Sequence, residues 1–164
     1  MSLPEEPLVR GGPLDGVRVL PLKTFRDARG WLGEIYRIDE IDPALRPVMA
    51  YVSMTSPGVV RGPHEHREQT DWFCFSGPSD FRITLWDARK GSSSAGRRMV
   101  VECGARQPAV VVVPPGVVHA YRNIGRADGL VFNCPNRLFA GQGRKEAVDE
   151  IRHESIPGSP YQAE

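Results

Sequence analysis

The chain has 164 residues and a formal net charge of +1, because its 21 Lys and Arg nearly balance its 20 Asp and Glu. This length fits one domain, predicted over residues 1–164, that can enclose a hydrophobic core without disulfides. Since there is no general excess of positive charge, nucleic acid is not an expected partner, and an anionic ligand must be held by local arginines.

The cysteine pattern and the hydropathy of the chain indicate the cellular compartment in which the protein is expected. The cysteines, Cys74, Cys103 and Cys134, are odd in number and widely spaced in apolar segments, unlike a disulfide framework or a paired-cysteine zinc site. The first residues, MSLPEEPLVRGG, lack the basic and apolar stretches of an export signal. No apolar run reaches the length of about 18 residues that a membrane span needs. We therefore predict a reduced, cytoplasmic protein without a membrane partner.

Short runs rich in β-branched and aromatic residues follow one another along the chain, separated by turns such as SGPSD and GRADG. Runs of this composition are typical of β-strands, and a series at such spacing predicts an all-β sandwich or barrel. The predicted strands are Val17–Leu22, Gly33–Ile38, Val48–Met54, Trp72–Phe75, Phe81–Trp86, Met99–Cys103, Ala109–Val113, Val117–Arg122 and Leu130–Cys134.

Two segments differ from this alternating pattern. Ala109–Val113 (AVVVV) is apolar on both faces of a strand, so one face should pack inward and the other against another sheet or subunit. Lys145–His153 instead has helix-like apolar spacing at Ala147, Val148 and Ile151. We predict a short helical cover at the end of the chain rather than a second domain.

Two histidine-bearing segments carry the candidate chemistry: RGPHEHREQTD at Arg61–Asp71 and PPGVVHAYRN at Pro114–Asn123. His64 and His66 are two positions apart and therefore face the same side of a strand, where a residue of an adjoining strand can close a pocket. Such a pocket suits either proton transfer or a divalent metal. The four candidates are His64, His66, Asp71 and His119.

The second segment resembles the second motif of the cupin superfamily, PxGxxHxxxN. A larger resemblance, over roughly Phe25 to Arg152, is to the dTDP-4-dehydrorhamnose 3,5-epimerase family. It implies a cupin jelly-roll fold, a homodimer, no cofactor, and isomerase activity on a nucleotide-linked 4-keto-6-deoxy sugar. The matching segments, in the family's order, are FRDARG at Phe25–Gly30, RGPH at Arg61–His64, WDARKGSSSAG at Trp86–Gly96 and VPPGVVHAY at Val113–Tyr121.

The resemblance also implies roles for individual residues. In a 4-keto sugar the protons beside the carbonyl are acidic, and histidine, with an unperturbed pKa of about 6.5, can accept and release a proton near neutral pH. His64 matches the family's catalytic histidine, and His119 matches a second histidine of the same pocket. Arg29 and Arg61 match arginines that hold the nucleotide diphosphate. Gln69 belongs to a motif beside the substrate, so we expect it to contact substrate.

The chain departs from the family at three places. Asp71 stands where the family has a lysine, so an anion replaces a cation that would stabilise the developing enolate. The family's acid is a tyrosine at approximately the position of Phe132, for which Tyr121 and Cys134 are possible substitutes. The family's aspartate partner of the catalytic histidine has Asp149 as a candidate by position only.

Three interpretations follow from these matches and departures. The first is a divergent epimerase in which His64 removes the proton. The second is a metal-dependent dioxygenase or isomerase with His64, His66, Asp71 and His119 as ligands, in which His64 could not also act as a free base. The third is a cupin that binds a nucleotide sugar without catalysis. His66, which replaces the family's usual Gln, and Asp71 are the residues that favour a metal.

Overall fold

The computed structural model describes residues 6–163, which form short strands joined by turns. The strands are β1 (Leu8–Gly11), β2 (Arg18–Pro21), β3 (Thr24–Asp27), β4 (Gly30–Gly33), β5 (Tyr51–Thr55), β6 (Val60–Glu65), β7 (Asp71–Gly77), β8 (Asp80–Asp87), β9 (Arg98–Gly104), β10 (Ala109–Val113), β11 (Val117–Asn123), β12 (Gly129–Asn133) and β13 (Ile151–Arg152). The described helices are single 3-10 turns at Pro43–Leu45, Gln142–Arg144 and His153–Ser155. None of them is long and apolar enough to cross a bilayer.

The strands form two larger antiparallel sheets and one hairpin. The first sheet has the order β1-β9-β8-β11-β6-β13 and the second the order β2-β10-β7-β12-β5, while β3 pairs only with β4. Apart from β8 and β9, neighbouring strands in each sheet are not consecutive in the chain, which is the long-range connectivity of a jelly roll. The predicted all-β fold class is therefore confirmed.

The core lies between the two sheets and is built from alternating residues of their facing surfaces. Phe75, Phe81 and Val111 are among its fully buried side chains. A second apolar cluster lies on the opposite face of β10 and β7, where Val110 and Trp72 contact the loop that carries Ile35, Ile41 and Leu45. Both faces of AVVVV are thus buried, as predicted, and the outer face is covered by a loop of the same chain.

Two predicted elements are wrong. Of the strand predicted at Gly33–Ile38, only Gly33 belongs to a strand; Ile35 instead packs from a loop into the second cluster, so the apolar spacing reflects that packing. The helix predicted over Lys145–His153 is replaced by extended chain and by β13, which pairs with β6. Backbone pairing with the sheet competes with helix formation here, and the segment covers the end of the barrel as a strand.

Candidate functional site

A cavity of about 680 Å³ opens at one end of the barrel, between β6, β11, β5 and the C-terminal segment. His64 on β6 lies directly opposite His119 on β11 in the strand register. The two strands approach closely because Gly62, with φ +92°, has no side chain; an added Cβ would lie 2.7 Å from the backbone oxygen of His119. The two histidine segments predicted to share a pocket do so.

Two carboxylates surround His64 in the cavity wall. Its Nε2 lies 2.9 Å from Glu154 Oε1, and its Nδ1 lies 3.5 Å from Glu150 Oε1. Both acids come from the C-terminal segment, which β13 attaches to β6 beside the histidine. The hydrogen bond to Glu154 fixes the ring orientation of His64, and Nδ1, which makes no hydrogen bond within the described residues, is left to accept a proton.

His66, Asp71 and His119 form a separate group in the cavity floor. Asp71 Oδ2 lies 3.2 Å from His66 Nε2 and 3.6 Å from His119 Nε2. Asp71 is 1% exposed, and its other oxygen accepts hydrogen bonds of 2.8 Å from the side-chain amides of Gln69 and Asn133. The four predicted metal ligands therefore do not form one set, because both nitrogens of His64 face Glu150 and Glu154.

The charge states in this group follow from burial and from the shared carboxylate. Burial lowers the pKa of His66, but the hydrogen bond and charge of Asp71 outweigh it and raise that pKa to about 9. Burial dominates at His119 and lowers its pKa to about 4. The pKa of Asp71 is lowered despite its burial, because the imidazoles of His66 and His119 favour the carboxylate. Without a bound cation, a proton on His66 balances the Asp71 charge.

Two tyrosines line the cavity. Tyr121, a candidate acid, lies on β11 with its hydroxyl oxygen 3.1 Å from Ser53 Oγ. Tyr51 on β5 was not predicted as a site residue; its hydroxyl accepts a 2.8 Å hydrogen bond from the Asn133 amide. Burial raises the pKa of Tyr121, and it raises that of Tyr51 to about 12. Both hydroxyls therefore keep their proton at neutral pH.

The other candidate acid, Cys134, lies away from the cavity, as does Phe132 at the place of the family's tyrosine. Phe132 and Cys134 pack into the second apolar cluster, on the opposite face of the sheet. The prediction that Cys134 could substitute for the acid is therefore wrong, because strand β12 turns that face outward. The residues of β12 that face inward are Val131 and Asn133.

The predicted arginines are placed differently from one another. Arg61 lines the cavity, and its guanidinium donates to Thr55 Oγ1 at 2.9 Å and to the Met54 carbonyl at 2.8 Å. Arg29 lies at the tip of the β3–β4 hairpin with its side chain 90% exposed, paired with Asp27. Within a single chain, Arg29 therefore lies outside the cavity lining.

Gln69 and Asp149 line the cavity, and their side chains also bond to other protein groups. The Gln69 amide nitrogen donates to Asp71 and lies 3.2 Å from His66 Nε2. The Asp149 carboxylate accepts hydrogen bonds from the backbone N–H groups of residues 67, 68 and 69 at 2.9–3.0 Å. The predicted pairing of Asp149 with His64 is wrong, because adjacent residues of the same segment provide the acids instead.

Several residues of the site were missed by sequence reasoning: Tyr51, Arg67, Arg144 and Glu150 of the cavity lining, and Glu154 beside His64. Glu150 lies within the segment predicted as a helix and Glu154 directly follows it, so their position beside His64 could not be derived from that prediction. Tyr51 was assigned to a strand, but strand assignment alone does not show which side chains reach a cavity at the end of a barrel.

The segment WDARKGSSSAG forms an internal hydrogen-bond network centred on Asp87. Asp87 has a fully buried side chain and accepts hydrogen bonds from Arg89, Ser92 and Ser94. The Arg89 guanidinium holds the pKa of Asp87 well below its usual range. This network fixes the loop between β8 and β9 and does not line the cavity.

Comparisons with known sequences agree on one family. The profile described as dTDP-4-dehydrorhamnose 3,5-epimerase matches residues 12–148. The probable low-salt glycan biosynthesis epimerase Agl13 of Haloferax volcanii is 36% identical over 127 residues, which cover 75% of this chain and 79% of that protein. The spore coat polysaccharide biosynthesis protein SpsL of Bacillus subtilis is 34% identical over 113 residues, covering 68% and 73%.

Solved structures show the same fold at lower identity. The dTDP sugar isomerase of Desulfovibrio desulfuricans G20 has a TM-score of 0.76 at 22% identity, with 91% of each chain covered. The 3,5-epimerase RmlC of Legionella pneumophila, solved in complex with dTDP-4-keto-L-rhamnose, has a TM-score of 0.71 at 17% identity, covering 90% of this chain and 77% of that one. At these identities the likeness establishes the jelly-roll fold alone.

Proposed function

Since the chain belongs to the dTDP-4-dehydrorhamnose 3,5-epimerase family, we propose that it epimerises a nucleotide-linked 4-keto-6-deoxy sugar, with His64 removing the proton beside the ketone. The observation that carries this proposal is His64 in the cavity wall with Glu154 and Glu150 at its two nitrogens. The relative Agl13 is named a probable glycan biosynthesis epimerase, and the RmlC structure contains a dTDP-linked keto sugar.

The chemistry follows from the acidity of a C–H bond next to a carbonyl. His64 accepts the proton, and the two glutamates stabilise the imidazolium and hold its ring in place. The negative charge then moves to the ketone oxygen, where polar groups of the cavity must stabilise it. Inversion requires that a proton return to the opposite face of the same carbon from a different acid.

We assign that acid to a tyrosine of the cavity and favour Tyr51 over Tyr121. The amide of Asn133 donates to the Tyr51 oxygen, so the Tyr51 hydroxyl hydrogen remains available for the substrate. Tyr121 is nearly buried and has Ser53 as a hydroxyl neighbour. Matched Tyr51→Phe and Tyr121→Phe variants separate the two, because only loss of the acid abolishes inversion.

Arginines near the cavity suit the diphosphate of a nucleotide sugar. Arg61, Arg67 and Arg144 line the cavity. Within residues 6–163, the guanidinium groups of Arg67 and Arg144 take part in no ion pair, unlike that of Arg152, which binds Glu150 at 2.6 Å. Guanidinium groups bind phosphate oxygens through paired hydrogen bonds. Replacing either free arginine by Gln should raise KM more than it lowers kcat.

We further propose a homodimer formed through the second sheet. Among the described strands, β5 ends this sheet, and its Val52 and Met54 are 54% and 58% exposed. An exposed apolar edge strand is a surface that a second copy can cover. For Arg29 to contact a phosphate as predicted, it would have to act from such a second copy. Met54→Glu should shift the sedimentation of a dimer to that of a monomer, and a monomeric wild type would refute the dimer.

The test of the catalytic proposal is proton exchange. In deuterated water, the wild type should incorporate deuterium at C3 or C5 of dTDP-4-keto-6-deoxyglucose, measured by NMR, and His64→Asn should abolish incorporation. His153→Asn is the matched control, because His153 also pairs with a carboxylate, Glu65, but lies outside the cavity lining. Binding of the nucleotide sugar in calorimetry with no exchange would instead identify a non-catalytic binding protein. Absence of both would refute the proposed function.

A further inference from the structure

Three acceptor atoms converge in the cavity floor. His66 Nε2, Asp71 Oδ2 and His119 Nε2 all lie within 4.8 Å of one another. The two distances to the carboxylate oxygen are 3.2 Å and 3.6 Å. Ligand atoms that each lie about 2.0–2.2 Å from a shared transition-metal ion are separated by roughly 3–3.6 Å. Both distances to the carboxylate oxygen therefore fall within the range of atoms arranged around an ion.

Hydrogen bonds to neighbouring groups direct the imidazole lone pairs toward this point. His66 Nδ1 is bonded to the Asp149 carbonyl, and His119 Nδ1 lies 3.2 Å from the Val117 carbonyl. A carbonyl only accepts, so each Nδ1 carries hydrogen, and in the neutral ring each Nε2 is an unprotonated acceptor. Backbone carbonyls hold metal-binding histidines in this way.

The carboxylate is oriented by the same kind of contact. Gln69 and Asn133 donate to Asp71 Oδ1, which leaves Oδ2 facing the imidazoles. That oxygen is buried and makes no hydrogen bond of good geometry within the described residues. The amide of Gln69, 3.2 Å from His66 Nε2, is a further donor beside the group. An anionic oxygen with two facing acceptors requires a cation.

We propose that His66, Asp71 and His119 bind one divalent transition-metal ion. Two imidazoles and one carboxylate suit Zn²⁺, Mn²⁺, Fe²⁺ or Co²⁺ and leave coordination positions for water or a ligand in the cavity. His64 is not a ligand, because its Nε2 bonds to Glu154 and the three convergent ligand atoms belong to His66, Asp71 and His119. The alternative occupant is a proton on His66, which would pair that ring with Asp71. The proposal concerns binding and does not depend on the epimerase reaction.

The experiment uses the full chain, freed of metal by dialysis against EDTA and titrated with Co²⁺. Visible d–d absorption reports nitrogen and oxygen ligation, and calorimetry gives the stoichiometry without any substrate. We expect one Co²⁺ per chain, with affinity at least tenfold lower in His66→Gln and in Asp71→Asn. Near-ultraviolet circular dichroism checks that each variant is folded, and the use of two variants keeps the test valid if one unfolds.

His153→Gln is the matched control. His153 has almost the same side-chain exposure as His66, 11% against 13%, and also faces a carboxylate, Glu65 at 2.7 Å. Its removal lowers the histidine count equally but should leave Co²⁺ affinity unchanged. Absence of stoichiometric Co²⁺ binding to the wild type would overturn the proposal in favour of the proton. Equal losses in His66→Gln and His153→Gln would overturn it as well.

Discussion

Gly62→Ala tests whether the close approach of β6 and β11 builds the cavity. An added Cβ would lie 2.7 Å from the His119 backbone oxygen and 3.0 Å from the His64 backbone nitrogen. Since both neighbours are backbone atoms, neither can rotate away. Gly58 is the matched control: its φ is also positive, +75°, but an added Cβ meets nothing within 4 Å.

The surroundings of the two glycines determine how much each substitution should lower the free energy of unfolding. A side chain in the left-handed region costs about 1–2 kcal/mol, and the lower entropy of the unfolded variant offsets about 0.4–1 kcal/mol. Gly58→Ala should therefore lower the free energy of unfolding by at most about 1.5 kcal/mol. Gly62→Ala adds an overpacking cost of about 1–3 kcal/mol, for a total of roughly 1–4.5 kcal/mol.

Guanidinium unfolding monitored by circular dichroism measures both losses, and deuterium exchange into the keto sugar measures the effect on the site. Because His64 and His119 lie on the strands that must separate, a displacement of about 1 Å should reduce the exchange rate of Gly62→Ala by about 100-fold. The exchange rate of Gly58→Ala should stay near that of the wild type. Equal stability losses, or unchanged exchange in Gly62→Ala, would refute this account of the close approach.

Two further predictions concern carboxylates that fix loops, Asp149 beside the cavity and Asp87 away from it. Asp149→Ala removes three backbone hydrogen bonds at residues 67–69 and should lower the free energy of unfolding by about 2–3 kcal/mol, seen as a lower denaturation midpoint; an unchanged midpoint would contradict the anchoring role. Asp87 has a pKa held below its usual range by Arg89, Ser92 and Ser94, so its charge stabilises the fold above about pH 4 and progressively less as the pH falls below that value. Asp87→Asn should therefore destabilise the protein more at pH 7 than at pH 3, and an equal loss at both pH values would exclude an ionic contribution.

Local sequence patterns predicted the strands of the two large sheets more reliably than the segments that connect and cover them. The apolar run AVVVV predicts a strand that is buried on both faces. The corresponding strand β10 is buried in this way, because Val111 and Val113 pack into the first apolar cluster while Val110 and Val112 pack into the second. The same reasoning failed at Gly33–Ile38 and at Lys145–His153. Apolar side chains there pack from a loop and from a short edge strand, and their spacing alone cannot identify what they pack against.

The sequence by itself determined the fold class, the family, and the shared pocket of the two histidine segments, because these depend on strand periodicity and on motifs contained within short segments. Only the tertiary structure decided the partners of each histidine. Glu150 and Glu154 reach His64 through β13, and Asp71 joins His66 and His119 from the end of β7. Apart from that of Asp71 with His66, these contacts join residues far apart in the chain, and they arise from the register of paired strands, which local spacing does not contain.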